Sequence, residues 1–266
     1  MTRCPIVRVR GERPTFSIPK EQFRNLLADS GRRMGLSDVA VAELVRRAQL
    51  GRWHKGQDIF TTDDSADLVN FLVAGAVKVT CPAGPNTVCV QLVRPGQFFG
   101  LNWYAERGRP RLFGATAFTD CTVAMVTSEM MAILIANSPP QSVMQIMSYS
   151  WRALSRLIYE KCCLLGLRLE GRLKHELGVL ARDFGREHDG GVVIDLPLTH
   201  ADLGEFALAS RANVARVMKR LERAGMTARY GRKIFLTAKF FERRHNPDFD
   251  RLLQTELSRS SSQRLA

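Results

Sequence analysis

Residues 208–225 read LASRANVARVMKRLERAG, and the spacing of their side chains suits the binding of a polyanion. Val214, Val217, Met218 and Leu221 recur at i, i+3, i+4 and i+7, so a helix here has one apolar face. At about 100° per residue, Ala212, Arg216, Lys219 and Arg223 lie opposite that face, with Arg211 and Asn213 flanking them at the amino-terminal end. Ser210 suits an N-cap and Gly225 a C′ stop. Upstream, Thr199-His200-Ala201-Asp202 fits a capping box that opens a short helix over Asp202 to Ala207, with Leu203 and Phe206 inward. Ala207-Leu208-Ala209 then makes a tight turn. Downstream, MTARYGRKIFLT (226–237) contains two short β runs bracketing Tyr230-Gly231-Arg232-Lys233, a hairpin with two cations near its tip.

A helix, a tight turn and a capped helix with a basic outer face form a helix-turn-helix layout, whose second helix enters the major groove amino end first. The hairpin is a wing, and its cations suit phosphates beside the groove. A basic amphipathic helix alone is also what a solvated surface helix looks like. The caps, the preceding helix and the wing together favour the groove-reading alternative.

Charge agrees with this. The 266 residues carry 39 Lys and Arg against 26 Asp and Glu, a net charge of +13. Residues 196–240 hold nine cations and three acids, a net +6, and residues 1–55 hold twelve and five, a net +7. Such an excess points to nucleic acid or an acidic membrane surface. The apolar runs, such as 71–77, are too short to span a bilayer, and the basic amino terminus lacks an apolar core and cleavage site. The expectation is a cytoplasmic protein with double-stranded DNA as partner and no membrane.

The remaining elements must position this reading head. Residues 1–20 read as a flexible basic arm, and residues 21–50 carry helical spacing (Phe23, Leu26, Leu27; Val39, Val41, Leu44, Val45, Ala48). From 51 to 128 short β runs alternate with Gly and Pro turns, including CPAGPN (81–86), which argues for an antiparallel barrel or jelly roll. From 139 the period becomes helical, with Ser138 as N-cap before Pro139 and Pro140. Val143, Met147, Trp151, Leu154, Ile158 and Leu165 form a near-heptad stripe, while Ile146, Leu157, Leu164 and Leu167 lie off it. Such a stripe packs on the barrel, on a second copy of the chain, or on both; apolar residues on so much of the surface favour a dimer helix. Residues 168–185 form another amphipathic helix, REHDGG (186–191) a polar turn, and Val192 to Leu196 a short strand.

Other chemistries lack their residues. There is no G-x-S-x-G, H-E-x-x-H or P-loop, so no enzyme is expected. Cys4, Cys81, Cys89, Cys121, Cys162 and Cys163 show no C-x-x-C spacing and read as mostly buried thiols. His54 is the only histidine in the barrel region. No haem, iron–sulfur cluster or metal is expected.

FLVAGAVKV (71–79), PGQFFG (95–100) and above all LTHADLGEFALASRANVARVMKRLERAG (198–225) resemble the cyclic-AMP receptor protein / fumarate–nitrate reduction regulator (CRP/FNR) family, over roughly residues 30–240. The resemblance implies an α+β protein. Its parts would be the arm (1–20), a cyclic-nucleotide-binding-like β jelly-roll sensor (21–137), a dimerisation helix (138–167), a winged helix-turn-helix (168–241) and a tail (242–266). It implies a homodimeric transcriptional regulator that reads an inverted repeat, with RNA polymerase as a further partner. Arg211 would reach guanine, and Ser210 and Arg216 would contact phosphate and base edges respectively. Asn213, Thr199, Lys219, Arg220, Arg232 and Lys233 would complete the DNA surface. Ala212 stands where many members carry a glutamate that accepts from cytosine N4; alanine offers at most contact with a thymine methyl.

The effector pocket would involve Phe99, Gly100, Leu101, Asn102, Arg109, Arg111 and Leu112. The family's ribose-binding glutamate is replaced by Leu101. Arg111, or Arg109, stands for the phosphate-binding arginine, with Leu112 and Phe113 in place of small polar neighbours. Cyclic AMP is therefore disfavoured, because its buried polar groups would lack partners; another small-molecule effector, or none, stays open. Two rival functions are a sensing module that acts through protein partners and a nucleoid-type protein that binds DNA without sequence choice.

Overall fold

The computed structural model describes residues 20–83, 86–100 and 111–242. The chain divides into two compact units, with the boundary between Lys161 and Cys162. The arm over 1–19 and the tail beyond 242 lie outside the described residues.

The first unit opens with α1 (Lys20–Met34) and α2 (Asp38–Arg47). Ser37 caps α2, its hydroxyl accepting from the Ala40 N–H at 3.3 Å. Among the described residues eight strands follow: β1 (Gln49–Trp53), β2 (Asp58–Phe60), β3 (Leu68–Ala74), β4 (Val77–Ala83), β5 (Asn86–Val93), β6 (Phe98–Phe99), β7 (Gly114–Ala117) and β8 (Cys121–Thr127). They form two four-stranded antiparallel sheets, in the orders β1-β8-β3-β6 and β2-β7-β4-β5, which is the jelly roll. Phe60, Leu72, Val77, Val93, Phe99, Ala115, Ala117 and Val123 form one core cluster. A second cluster joins Val69, Phe71, Val73, Ala124 and Val126 of β3 and β8 to Leu27, Leu44, Met131 and Leu134 of the helices. Alternate residues of β3 thus serve opposite cores, which explains why LVNFLVA, apart from the buried Asn70, is apolar throughout rather than alternating.

Three local expectations change. Cys81 to Ala83 and Asn86, expected in a turn, belong to strands, because β4 runs on to Ala83 and β5 begins at Asn86. Past Thr80, β4 pairs with β5 alone, and such an edge accommodates Pro82, which has no N–H to donate. A helix not foreseen, α3 (Ser128–Ala136), follows β8; its run SEMMAILIA is apolar on most sides and so shows no periodicity. The Ser138 hydroxyl donates to Leu134 O at 2.7 Å, so it bonds the end of α3 instead of capping the next helix.

The long helix α4 (Pro140–Leu165) contains the boundary between the units. Ile146 and Tyr149 pack on the helix-side core of the first unit, and Leu164 is buried. Met147, Trp151, Leu154, Ile158 and Leu165 are exposed, Trp151 by 69%, and Val143 is half-buried. Met144 adds to the exposed apolar surface.

The second unit contains α5 (Leu169–Phe184), β9 (Gly185–His188), β10 (Gly191–Ile194), α6 (His200–Ala207), α7 (Arg211–Arg223), β11 (Thr227–Tyr230), β12 (Lys233–Thr237) and α8 (Ala238–Glu242). Leu173, Leu177, Leu203, Val214, Leu221, Ile234 and Leu236 are fully enclosed. Each contributes about 1.5–3 kcal/mol of transfer free energy. The sheet order is β11-β12-β10-β9. Arg186 to His188, expected in a polar turn, form β9 together with Gly185, and β9 pairs with β10 from Gly185↔Ile194 to His188↔Gly191. Its side chains are mostly solvent-facing, so no apolar alternation marked it in the sequence.

Candidate nucleic-acid interface and sensor pocket

The reading head is built by short-range rules. Thr199 caps α6 with a complete capping box. Its Oγ1 accepts from the Asp202 N–H at 3.2 Å, and Asp202 Oδ2 accepts from the Thr199 N–H at 2.8 Å. The Thr199 hydroxyl also donates to Asp202 Oδ2 at 2.6 Å, so the proton expected to reach DNA is already engaged. The α6 C-cap, Leu208, adopts φ 53 and ψ 54, a left-handed conformation that costs a non-glycine residue about 1–2 kcal/mol. The turn closes tightly: the Ala209 N–H donates to Gly204 O at 2.9 Å, and a Cβ on Gly204 would stand 2.5 Å from Ala209 O. Only glycine fits there. Ser210 then caps α7, accepting from the Asn213 N–H at 3.3 Å. Gly225, at φ 69, follows the helix end as expected.

Burial follows the sequence stripe: Val214, Val217, Met218 and Leu221 are inside, and Ser210, Arg211, Ala212, Asn213, Arg216, Lys219, Arg220 and Arg223 are exposed. Among the described residues, the Arg211, Lys219, Arg223 and Arg232 side chains have no ion pair or hydrogen bond and stand ready for an anionic partner. Arg216 Nη2 donates to Asn213 Oδ1, and Arg220 lies 3.7 Å from Glu170. The wing forms as expected, its tip at Gly231 and exposed Arg232. Lys233, expected to touch phosphate, instead pairs with Asp195, which also holds Arg186 at 2.5 Å. Asp195 follows β10, beside the β12 strand on which Lys233 lies, so this cation ties the sheet together.

One pair was missed. Arg229 on β11 places Nη2 3.3 Å from His200 Nε2 at the start of α6. Burial, then the Arg229 charge, lowers the His200 pKa below its usual value, so at neutral pH the ring is uncharged. The two residues are 29 positions apart, and no local pattern joins them.

In the jelly roll, Arg111 is 4% exposed. Its Nε donates to Ser65 O and its Nη2 to Leu68 O, both at 3.1 Å, and the guanidinium lies 4.1 Å from the centre of the Phe60 ring. Phe99 stacks on the far neighbour Phe60 at 6.1 Å. A Cβ on Gly100 would be 3.1 Å from Arg111 Nη1 and 3.2 Å from Asn70 Nδ2. Phe99, Gly100 and Arg111 are therefore brought together. Leu112 is not: it lies at a bend between Arg111 and β7 and is 63% exposed. Leu101, Asn102 and Arg109 lie outside the described residues.

Of the cysteines, Cys89 and Cys121 are buried, but Cys162 is exposed and Cys81 and Cys163 half-buried, which corrects the expectation of mostly buried thiols. No helix of the described chain is long and apolar enough to cross a membrane.

Two family models match the chain: a cyclic nucleotide-binding domain over residues 50–138 and a Crp-like helix-turn-helix domain over residues 171–239. The global nitrogen regulator of Synechococcus elongatus is 29% identical over 189 residues, spanning 70% of this chain and 84% of that protein. The CRP-like cAMP-activated global transcriptional regulator of Mycobacterium tuberculosis is 23% identical over 214 residues, spanning 80% and 94%. Among solved structures, FixK2 of Bradyrhizobium japonicum aligns with a TM-score of 0.62 at 21% identity, covering 71% of this chain and 92% of that one. The c-di-GMP responsive global regulator CLP of Xanthomonas campestris aligns at 0.64 and 19%, covering 76% and 99%. These two structures bear on the fold, and the fold agrees. The jelly roll, the helix-turn-helix and its wing, and these relatives together assign the chain to the CRP/FNR family of transcriptional regulators.

Proposed function

We propose that this regulator is a homodimer that reads an inverted-repeat DNA site through α7. The observation that carries the reading is Arg211, an unpaired guanidinium in the first turn of an exposed, Ser210-capped helix. Its planar fork matches guanine O6 and N7. The exposed stripe on α4, from Met147 to Leu165, supports pairing with a second copy of the chain, since apolar patches of this kind mark interaction sites. Two such heads on a two-fold axis would meet successive major grooves about 34 Å apart. The protein acts in the cytoplasm, with RNA polymerase as its further partner.

Cyclic AMP does not control this protein in the usual way. Position 101 offers leucine where a ribose-binding carboxylate would stand, and Arg111 commits two nitrogens to the carbonyls of Ser65 and Leu68. A bound phosphate would have to displace those bonds. The residues present do not fit the nucleotide, although the relative from Mycobacterium tuberculosis is described as cAMP-activated. A different small effector is compatible with the same barrel.

The test is selection of binding sites from random duplex DNA by the purified protein, followed by anisotropy titration of the selected site. An inverted repeat anchored by guanine is expected. Arg211→Ala should weaken that site by about 1–3 kcal/mol and relax choice at one base pair per half-site. Unchanged affinity in Arg211→Ala would refute the base-reading role. Equal binding of selected and scrambled duplexes would favour a nucleoid-type protein, and no DNA binding would favour action through protein partners.

A further inference from the structure

We infer that Arg172 is a positioning residue for the reading helix: its guanidinium holds the left-handed turn between α6 and α7 and ties that turn to the linker between α4 and α5. The inference rests on the DNA-reading function proposed above.

Arg172 lies in the first turns of α5, and all three of its guanidinium nitrogens reach main-chain carbonyls. Nε donates to Ala207 O at 2.8 Å, Nη2 approaches Leu208 O at 3.5 Å, and Nη1 donates to Leu167 O at 3.3 Å. Among the described residues it has no carboxylate partner, so it joins backbone to backbone and neutralises no acid. A guanidinium is a rigid plane of donors without an acceptor, and fixing three carbonyls fixes their relative positions.

The carbonyls it selects have few alternatives. Ala207 O and Leu208 O end an eight-residue helix, where the last carbonyls lack partners within the helix and the negative end of the helix dipole attracts a cation. Leu208 is also the only non-glycine residue with positive φ among the described residues, and it is half-exposed, so packing alone does not hold it. α7 starts only three residues later, with its cap at Ser210. A turn that opened would therefore re-aim Arg211 and the rest of the reading face.

The third arm gives this brace a second end. Gly166 to Arg168 separate α4 from α5, a Cβ on Gly166 would meet nothing within 4 Å, and Arg168 caps α5 without a side-chain hydrogen bond. Leu167 O is thus held to the helix-turn-helix by the same plane that holds Ala207 O. A displaced linker must either break the Nη1 bond or carry the turn with it.

The test compares Arg172→Gln and Arg172→Lys, each alone and combined with Leu208→Gly, in the full chain. Affinities are measured for the selected operator and for a scrambled duplex, and amide hydrogen exchange at Ala209 is followed in the free protein. Arg172→Gln should weaken operator binding at least about tenfold, leave scrambled binding within about twofold, and speed Ala209 exchange. Arg172→Lys should recover little, because one ammonium cannot span three carbonyls. Glycine adopts the left-handed conformation without strain, so in the Leu208→Gly background the same substitutions should cost distinctly less. Wild-type operator affinity in Arg172→Gln, equal loss on both duplexes, full rescue by lysine, or an undiminished loss in the Leu208→Gly background would each overturn the inference. If Arg172→Gln unfolds the second unit, the lysine variant supplies the comparison. If the wild type selects no sequence, the DNA-reading function fails, while unchanged Ala209 exchange in Arg172→Gln would separately refute the brace.

Discussion

Ala212→Glu puts the reading helix to a two-sided test. Ala212 is exposed in the first turn of α7, which contains no acid, and Ser210 satisfies the Asn213 N–H but not those of Arg211 and Ala212. A carboxylate beside those amides stabilises the helix by about 0.3–1 kcal/mol. For a domain near 100 residues this raises Tm by about 1–8 °C. On DNA the balance changes. The carboxylate can accept from cytosine N4, and a well-placed base contact discriminates by about 1–3 kcal/mol, or roughly 5- to 150-fold. It also adds a negative charge near phosphates, so affinity for unrelated duplexes should fall. Thermal unfolding of the free protein checks the first effect. Site selection followed by anisotropy on cytosine and thymine variants of one half-site checks the second. A stabilised protein whose selected sites match the wild type at every position would refute the placement of residue 212 against a base.

Other outcomes follow from the same geometry. Ser210→Ala should destabilise the second unit by about 1 kcal/mol through loss of the α7 cap, read by urea unfolding, with weaker operator binding as a consequence. Leu154→Glu and Ile158→Glu should each weaken dimerisation by about 2 kcal/mol or more, roughly 30-fold in Kd, by sedimentation equilibrium; no change would remove α4 as the dimer seam. Burial, with Asp120 nearby, pushes the Cys121 thiol up to about 12, so the native protein at pH 8 should leave it unalkylated. The unfolded thiol ionises near its ordinary value of 9.0 while the folded one stays protonated, so folding stability should fall as pH rises from 9 toward 12, and a Cys121→Ala variant should lose part of that fall.

Much of the candidate interface was legible in the sequence because its signals are local. The capping box at Thr199, the cap at Ser210, the apolar spacing from Val214 to Leu221 and the stop at Gly225 all act within one or two helical turns, and the structure forms each of them. The β-rich stretch and the wing were legible for the same reason, with turn residues separating apolar runs. α3 and β9 were not. The first is apolar on most of its surface and the second polar on most of its own, and neither leaves a period to read.

The sequence by itself therefore determined which residues could be caps, core faces and exposed cations, since these depend on neighbours three or four positions away. Only the tertiary structure decided which cations remain available. Among the described residues Arg211 and Arg232 have no ion pair or hydrogen bond, Lys233 is taken by Asp195 38 positions away, and Arg172 is spent on carbonyls 35 and 36 positions away. Arg111, equally charged in the sequence, is turned inward against Phe60 and held by Ser65 O, 46 positions away. A side chain's charge is set by its type, but its partner is set by where the folded chain brings other donors and acceptors, and no short window of sequence carries that.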